Sequence, residues 1–203
     1  PTGSGNGLAR FLNIPLSVEQ AIKAINQMKT KRIDCIKLNN TVYASIAGIG
    51  FDALIAREFA KTKTRGFQPY LKLVLQNYPQ YKPQNYTLII DDIEINTQAL
   101  FVSFSNSNQF GFDVEIANNA SLCDGLIDVV IVQKPPLPLL FWTAQLLFWR
   151  KFDNSIYVNA YQAKKVTVKS NNPTGVNLDG EYAEFDTDLT FEIMPDSLNV
   201  IIP

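Results

Sequence analysis

Helical and alternating patterns of apolar residues succeed one another along the chain, and the first clear one is helical. Val18, Ala21, Ile22, Ile25 and Met28 recur at helical spacing behind Ser17 and Gln20, which form a capping-box pair, so a helix is predicted from about residue 18 to 28. After Ile33 the period changes to two. Ile36 and Leu38 alternate with polar residues, Asn39-Asn40 supplies a turn, and Val42 to Ile49 reads as the return strand of a hairpin, broken by Gly48 and Gly50. A helix is predicted over Asp52 to Lys61, and the run Lys61 to Arg65 reads as a solvated loop, with phosphate contact as its functional alternative. A further helix over Pro69 to Tyr78 precedes a hairpin made of Tyr86 to Ile90, an Asp91-Asp92 turn, and Ile93 to Phe104.

Downstream, the polar segment Ser105 to Phe112 reads as a loop at a strand end, where ligand-contacting residues are often carried. Asp128 to Val132 is β-forming and follows a sharp Asp124-Gly125 turn. Pro135, Pro136 and Pro138 separate it from a helix over roughly residues 138 to 150. Strands are predicted at Ile156 to Ala160, Lys164 to Lys169, Val176 to Leu178, Leu189 to Ile193 and Leu198 to Ile202. So many short strands imply a mainly β fold, an antiparallel sandwich or partly closed barrel with inserted helices. The opening residues lack this β character and read as the tail of an α/β unit, which divides the chain into residues 1–32 and 33–203.

Composition narrows the chemistry. The 203 residues are 46% hydrophobic and 18% charged, as expected of a globular protein with a sizeable core, and a net charge of -1 provides no general basic field for nucleic acid. Histidine is absent, which removes Ser-His-Asp and Cys-His catalysis and leaves carboxylates or lysines for acid-base work. Cys35 and Cys123 lie far apart in sequence and share no metal-ligand spacing, so they read as reduced thiols of a cytoplasmic protein. The greasiest stretch, Leu137 to Trp149, is interrupted by Pro138, Thr143 and Gln145 and is shorter than the ~20 residues that a membrane span needs.

The candidate site residues lie in turns. The chain opens PTGSGNGLAR, where Gly3, Gly5 and Gly7 surround Asn6, and a glycine-rich turn ahead of a helix can aim main-chain N–H groups at phosphate. A flexible linker has a similar composition, but the apolar Ala9, Phe11 and Leu12 and the Asn13-Ile14-Pro15 stop that follow are not linker features. Three acid-containing turns stand out further on: Gly50-Phe51-Asp52, Asp124-Gly125 and Asp179-Gly180-Glu181. Each can be a plain turn. In the third, the strand Val176 to Leu178 would leave Glu181 at a strand end, where a carboxylate can act as a general base.

Four of these segments, in order, carry a family resemblance. PTGSGNGLARFLNIP, AGIGFDA, ANNASLCDGLIDVVIV and NLDGEY resemble the sequence blocks of the diacylglycerol kinase catalytic superfamily, which includes bacterial lipid kinases, sphingosine kinases and ceramide kinases. The resemblance implies a two-domain enzyme, with an α/β nucleotide domain and a C-terminal β-sandwich that holds lipid, the active site lying between them. It implies that Gly3, Ser4, Gly5 and Asn6 contact the nucleotide. Glu181 would deprotonate the lipid hydroxyl that attacks the γ-phosphoryl of Mg-ATP, and Asp124 would help bind a structural Mg2+, partly through main-chain carbonyls. The cofactors are then ATP and Mg2+, and the partners a lipid substrate and the inner face of a membrane, with a homodimer also compatible.

Two departures accompany the resemblance. Gly7 stands where many bacterial members have aspartate, and the family's G-G-D-G-T nucleotide motif is absent from the chain, as expected of a C-terminal fragment that is inactive alone. The aromatic run Phe141, Trp142, Phe148, Trp149, followed by Arg150 and Lys151, reads either as a packed helix or as a membrane-docking one. Two rival functions remain open at this level. One is an NAD kinase-like enzyme, although its P-T-G-S loop usually continues Thr-Ala-Tyr. The other is a non-catalytic lipid-binding sandwich.

Overall fold

A computed structural model describes the chain except residues 4, 112, 113, 150, 151, 153, 154, 171 and 172, together with the side chains of residues 141, 143, 144 and 146–148. Among the described residues, two six-stranded antiparallel sheets face each other. One has the order β2-β1-β14-β11-β4-β5 and the other β10-β9-β6-β3-β12-β13. The strands of the first sheet are β1 (Thr30–Leu38), β2 (Thr41–Tyr43), β4 (Gln84–Ile90), β5 (Ile93–Ala99), β11 (Lys165–Lys169) and β14 (Leu189–Ile201). Those of the second are β3 (Ile46–Gly50), β6 (Phe101–Ser105), β9 (Ile127–Val132), β10 (Val158–Ala163), β12 (Thr174–Leu178) and β13 (Glu181–Phe185). Ile36, Leu38, Leu88, Val166 and Phe191 from one sheet meet Ile49, Val102, Phe104, Val129 and Val176 from the other in one core. Phe104 stacks on Phe191 with ring centroids 3.8 Å apart, joining the layers at their centre.

The sandwich expected from the alternation is present, but two predicted strands are each divided between the sheets. The return strand predicted over Val42 to Ile49 ends in the first sheet at Tyr43 and resumes in the second at Ile46. The strand predicted over Ile93 to Phe104 changes sheets at Leu100. Conversely, the two strands predicted between Leu189 and Ile202 form the single β14, whose register against β1 shifts between Ile33 and Cys35. Alternation shows which face a residue occupies, but not which sheet supplies the face.

The helices are α1 (Gly7–Phe11), α2 (Val18–Gln27), α3 (Phe51–Ala60), α4 (Phe67–Asn77) and α5 (Leu137–Phe148). At α2 the capping box is not made, since Ser17 is the N-cap but its side chain forms no capping hydrogen bond. Its apolar stripe is also not core: Val18, Ile22, Ile25 and Met28 are exposed and only Ala24 is buried. Beside the second sheet, α3 and α4 build a smaller core in which Phe51 meets Tyr78 and Tyr81 edge to face. A short ribbon of β7 (Gln109–Gly111) and β8 (Val114–Glu115) lies over α1.

Candidate functional site

The Asp179-Gly180-Glu181 turn joins β12 to β13, with Asp179 at φ 49° and Gly180 at φ 99°, the left-handed pair typical of a two-residue hairpin. Asp179 does more than turn the chain. Its carboxylate accepts main-chain hydrogen bonds from Ala44 (2.9 Å), Ser45 (3.0 Å) and Ile46 (2.8 Å), the residues at which the chain passes from β2 to β3. Three donors on one carboxylate compensate the segment for leaving its first sheet before entering the second. Burial first, and then the same negative charge, hold the Tyr43 hydroxyl well above its ordinary pKa. Glu181 begins β13, the edge strand of its sheet, and is exposed. Its neighbours in the turn fix where it emerges, and its carboxylate faces solvent.

Ser45 passes this anchor to the polar segment at residues 105–109. Its carbonyl accepts from Asn106 N (2.9 Å) and Ser107 N (3.1 Å), and its hydroxyl lies 2.6 Å from that of Ser107. A loop at the end of β6 is present as expected, but Ser105, Asn106 and Ser107 are fully buried and Gln109–Gly111 forms a strand, while Phe112 lies outside the described residues. The loop's buried main-chain groups are satisfied by Ser45, as burial requires. Asn106 then donates through Nδ2 to the carbonyls of Ala44 (2.9 Å) and Asp34 (2.8 Å).

Asp34 sits at the β1 bulge and is 2% exposed. Its Oδ2 accepts from Gly125 N (2.9 Å), its Oδ1 from Asp196 N (2.8 Å), and its own N–H donates to the Leu122 carbonyl (2.7 Å). The Asp124-Gly125 turn is therefore held by a residue ninety positions upstream. Asp124 itself is exposed, with Oδ1 accepting from Leu126 N at 3.1 Å. Among the described residues no group of three His, Cys, Asp or Glu side chains could hold a metal ion, and both Asp34 oxygens are already occupied. A divalent ion at Asp124 would thus draw its other ligands from main-chain carbonyls or water. The side chains alone do not make a resident site.

The glycine-rich opening packs onto the β7 ribbon, beyond the buried 105–107 segment. A Cβ on Gly7 would come within 2.9 Å of the Gln109 carbonyl, and one on Gly111 within 2.9 Å of the Gly5 Cα, so the two main chains cross in direct contact. A side chain on Gly7 would collide with β7. Asn6 is left-handed and donates to the Gly3 carbonyl at 2.7 Å, which closes the loop on itself, while Gly3 stays exposed. Ser4 lies outside the described residues.

The fourth motif segment meets the third helix. Gly48 lies inside β3 rather than ending it, and a Cβ there would be 2.0 Å from Asp52 Oδ2, so the Asp52 carboxylate fills the space above this glycine. Asn177 Nδ2 donates to the same oxygen (2.9 Å) and Asn177 Oδ1 accepts from Gly180 N (3.0 Å). Burial pushes Asp52 up to about 6, against the lowering effect of Asn177. A cavity of about 330 Å³ beside Asp179 is lined by Cys35, Val42, Tyr43, Met194 and Leu198 among others.

Structure thus joins the candidates in two strings. One runs from the opening loop through β7 to the 105–107 segment, Ser45 and Asp179. The other runs from Asp52 through Asn177 to Gly180 and Glu181. Asp34, Ser45, Asn106 and Asn177, which connect the motif turns, were not singled out from sequence. Asp34 had left a signal, an acid set between Ile33 and Cys35-Ile36 where the strand pattern calls for burial.

Fold and site define a β-sandwich domain that presents a braced carboxylate turn at the edge of one sheet. The chain belongs to the family described as the YegS C-terminal NAD kinase beta sandwich-like domain, whose model matches residues 45–202, within the diacylglycerol kinase-like superfamily. It is 26% identical over 185 residues to a diacylglycerol kinase of Staphylococcus saprophyticus, covering 90% of this chain and 60% of that protein. It is 25% identical over 205 residues to a protein of Pseudomonas syringae named as a probable lipid kinase, YegS-like, covering 100% of this chain and 66% of that protein. The chain therefore spans somewhat under two thirds of the length of these relatives. A crystal structure of a diacylglycerol kinase from Bacillus anthracis superposes with a TM-score of 0.70 at 16% identity, over 100% of this chain and 65% of that one, which shows the shared fold. These relatives are named as a diacylglycerol kinase and a probable lipid kinase.

Proposed function

We propose that this chain carries the acceptor half of a lipid kinase active site, in which Glu181 takes the proton of a lipid hydroxyl as that oxygen attacks the γ-phosphorus of ATP. The bond between phosphorus and the β–γ bridging oxygen breaks, and ADP leaves with its electron pair. Mg2+ brought with the nucleotide would neutralise phosphate charge, and this chain's own residues position the acceptor. The observation that supports the reading best is the exposed Glu181 carboxylate on a turn braced from both sides, by the three N–H groups on Asp179 and by Asn177 on Gly180. A base that must meet a hydroxyl within hydrogen-bond distance benefits from such fixed placement.

Gly3, Ser4, Gly5 and Asn6 are assigned to the nucleotide side, with Gly3 the exposed one among those of them that are described. The G-G-D-G-T element is absent from these residues, so turnover is expected of a protein that also carries it. Membrane contact is assigned to α5, where Leu137, Leu139 and Trp142, with Trp149 at its end, are exposed. No helix among the described residues is long and apolar enough to cross a membrane, so we assign α5 to the headgroup level.

The deciding experiment is Glu181→Gln in the full-length protein, assayed with labelled ATP and a panel of lipids. Lipid phosphorylation should fall at least a hundredfold while ATP binding persists. Unchanged turnover would remove Glu181 from the mechanism.

A further inference from the structure

We infer that Asp52 is the positioning residue for Glu181, acting through the Asn177 side-chain amide on the main chain of the turn. The inference rests on Glu181 being the base. Its geometry does not: Asp52 Oδ2 accepts from Asn177 Nδ2 at 2.9 Å, and Asn177 Oδ1 accepts from Gly180 N at 3.0 Å, immediately before Glu181. Both ends of one amide are engaged, so negative charge on Asp52 polarises it and strengthens the bond to Gly180. Gly48 makes the contact possible, because any side chain there would occupy the position of the carboxylate.

A structural role alone accounts poorly for an acid at this place. Asp52 is 5% exposed and its hydrogen-bond partner is a neutral amide, with no ion pair to a described residue. Burying an unpaired carboxylate is costly, and an asparagine would make a similar contact without that cost. Around it, Asn177 approaches from β12. Tyr70 comes from α4, where burial first and then the Asp52 charge raise its hydroxyl pKa. Arg57, the cation of the same helix, is directed instead over the Tyr182 ring at 6.0 Å. The relay is therefore directed at the turn: the carboxylate orients the amide, the amide holds Gly180, and Gly180 sets the angle at which Glu181 leaves the strand pair.

The test uses the full-length protein labelled with ¹⁵N-glycine, and its kinetics. The Gly180 amide signal should show a step with a midpoint near the Asp52 value of about 6 in the parent and in Glu181→Gln, and should lose that step in Asp52→Asn. Asp52→Asn should lower kcat ten- to a hundredfold with the lipid KM changed less than twofold. Asn177→Ala should reproduce that split and speed Gly180 hydrogen exchange at least tenfold. A Gly180 signal indifferent to Asp52→Asn overturns the relay, as does a loss confined to KM, which would mean that Asp52 touches the lipid. Full turnover in Glu181→Gln removes the base assignment instead, and with it the catalytic meaning of a relay still visible in the Gly180 signal.

Discussion

Replacing Asp34 tests the claim that one buried carboxylate holds the Asp124-Gly125 turn and β14 together. Alanine at this position removes the acceptor for Gly125 N and Asp196 N but leaves the main-chain bonds to Leu122 and Asn106 in place. Each lost bond is charge-assisted and worth about 1.5–3 kcal/mol, and both N–H groups sit partly buried, so water recovers some of the loss. A net destabilisation of about 3 kcal/mol is expected, a large share of the ~5–15 kcal/mol typical of a domain. With a urea m-value of about 2 kcal/mol/M the midpoint falls by roughly 1.5 M. Asp34→Asn keeps one acceptor and turns an N–H toward the other donor, so about 2 kcal/mol is expected there. Amide exchange at Gly125 and Asp196 should accelerate in both variants. If both variants unfold within about 0.5 kcal/mol of the parent, Asp34 is not the connection described here.

Three other outcomes follow from the same structure. Asp52 is raised from 3.8 to about 6 in the folded protein, so between those values the native state binds a proton that the unfolded state has released. Stability from this group is therefore greatest below pH ~4 and declines by up to about 3 kcal/mol as pH rises to 6; the difference in melting between the parent and Asp52→Asn should show that slope, and parallel curves would refute it. Phe191→Ala removes a buried ring stacked at 3.8 Å on Phe104 and should cost about 3–5 kcal/mol in denaturant unfolding. Trp142→Ala with Trp149→Ala should weaken sedimentation with anionic lipid vesicles by at least about a hundredfold, since both rings are exposed and at membrane level each would contribute about 2 kcal/mol of apolar burial.

Much of this was legible in the residues, and the rest fails for physical reasons. Predicted strands agree closely with the observed ones at β4 and β9, each owned by one sheet, whereas β13 is not predicted and β14 is predicted as two strands. They fail at Ala44-Ser45 and at Leu100, because sheet switching depends on remote partners, in one case the Asp179 carboxylate. The α2 stripe was legible as an amphipathic helix, but amphipathicity does not name the surface that buries it. Glu181 and Asp52 could be picked from their motifs. Asp34 accepts from main-chain N–H groups 91 and 162 residues away, and Asn177 bridges its near neighbour Gly180 to the Asp52 side chain 125 residues away, so local sequence does not show which groups they join.

The two places where the chain crosses between sheets also limit how a ligand can enter. Tyr43 and Ile46 are two turn residues apart yet belong to opposite layers, and Ala99 and Phe101 are separated only by Leu100. Such short stitches prevent the layers from hinging apart like covers of a book. A ligand reaching the core would have to enter along an edge, such as the one beside the Asp179 turn where the cavity opens.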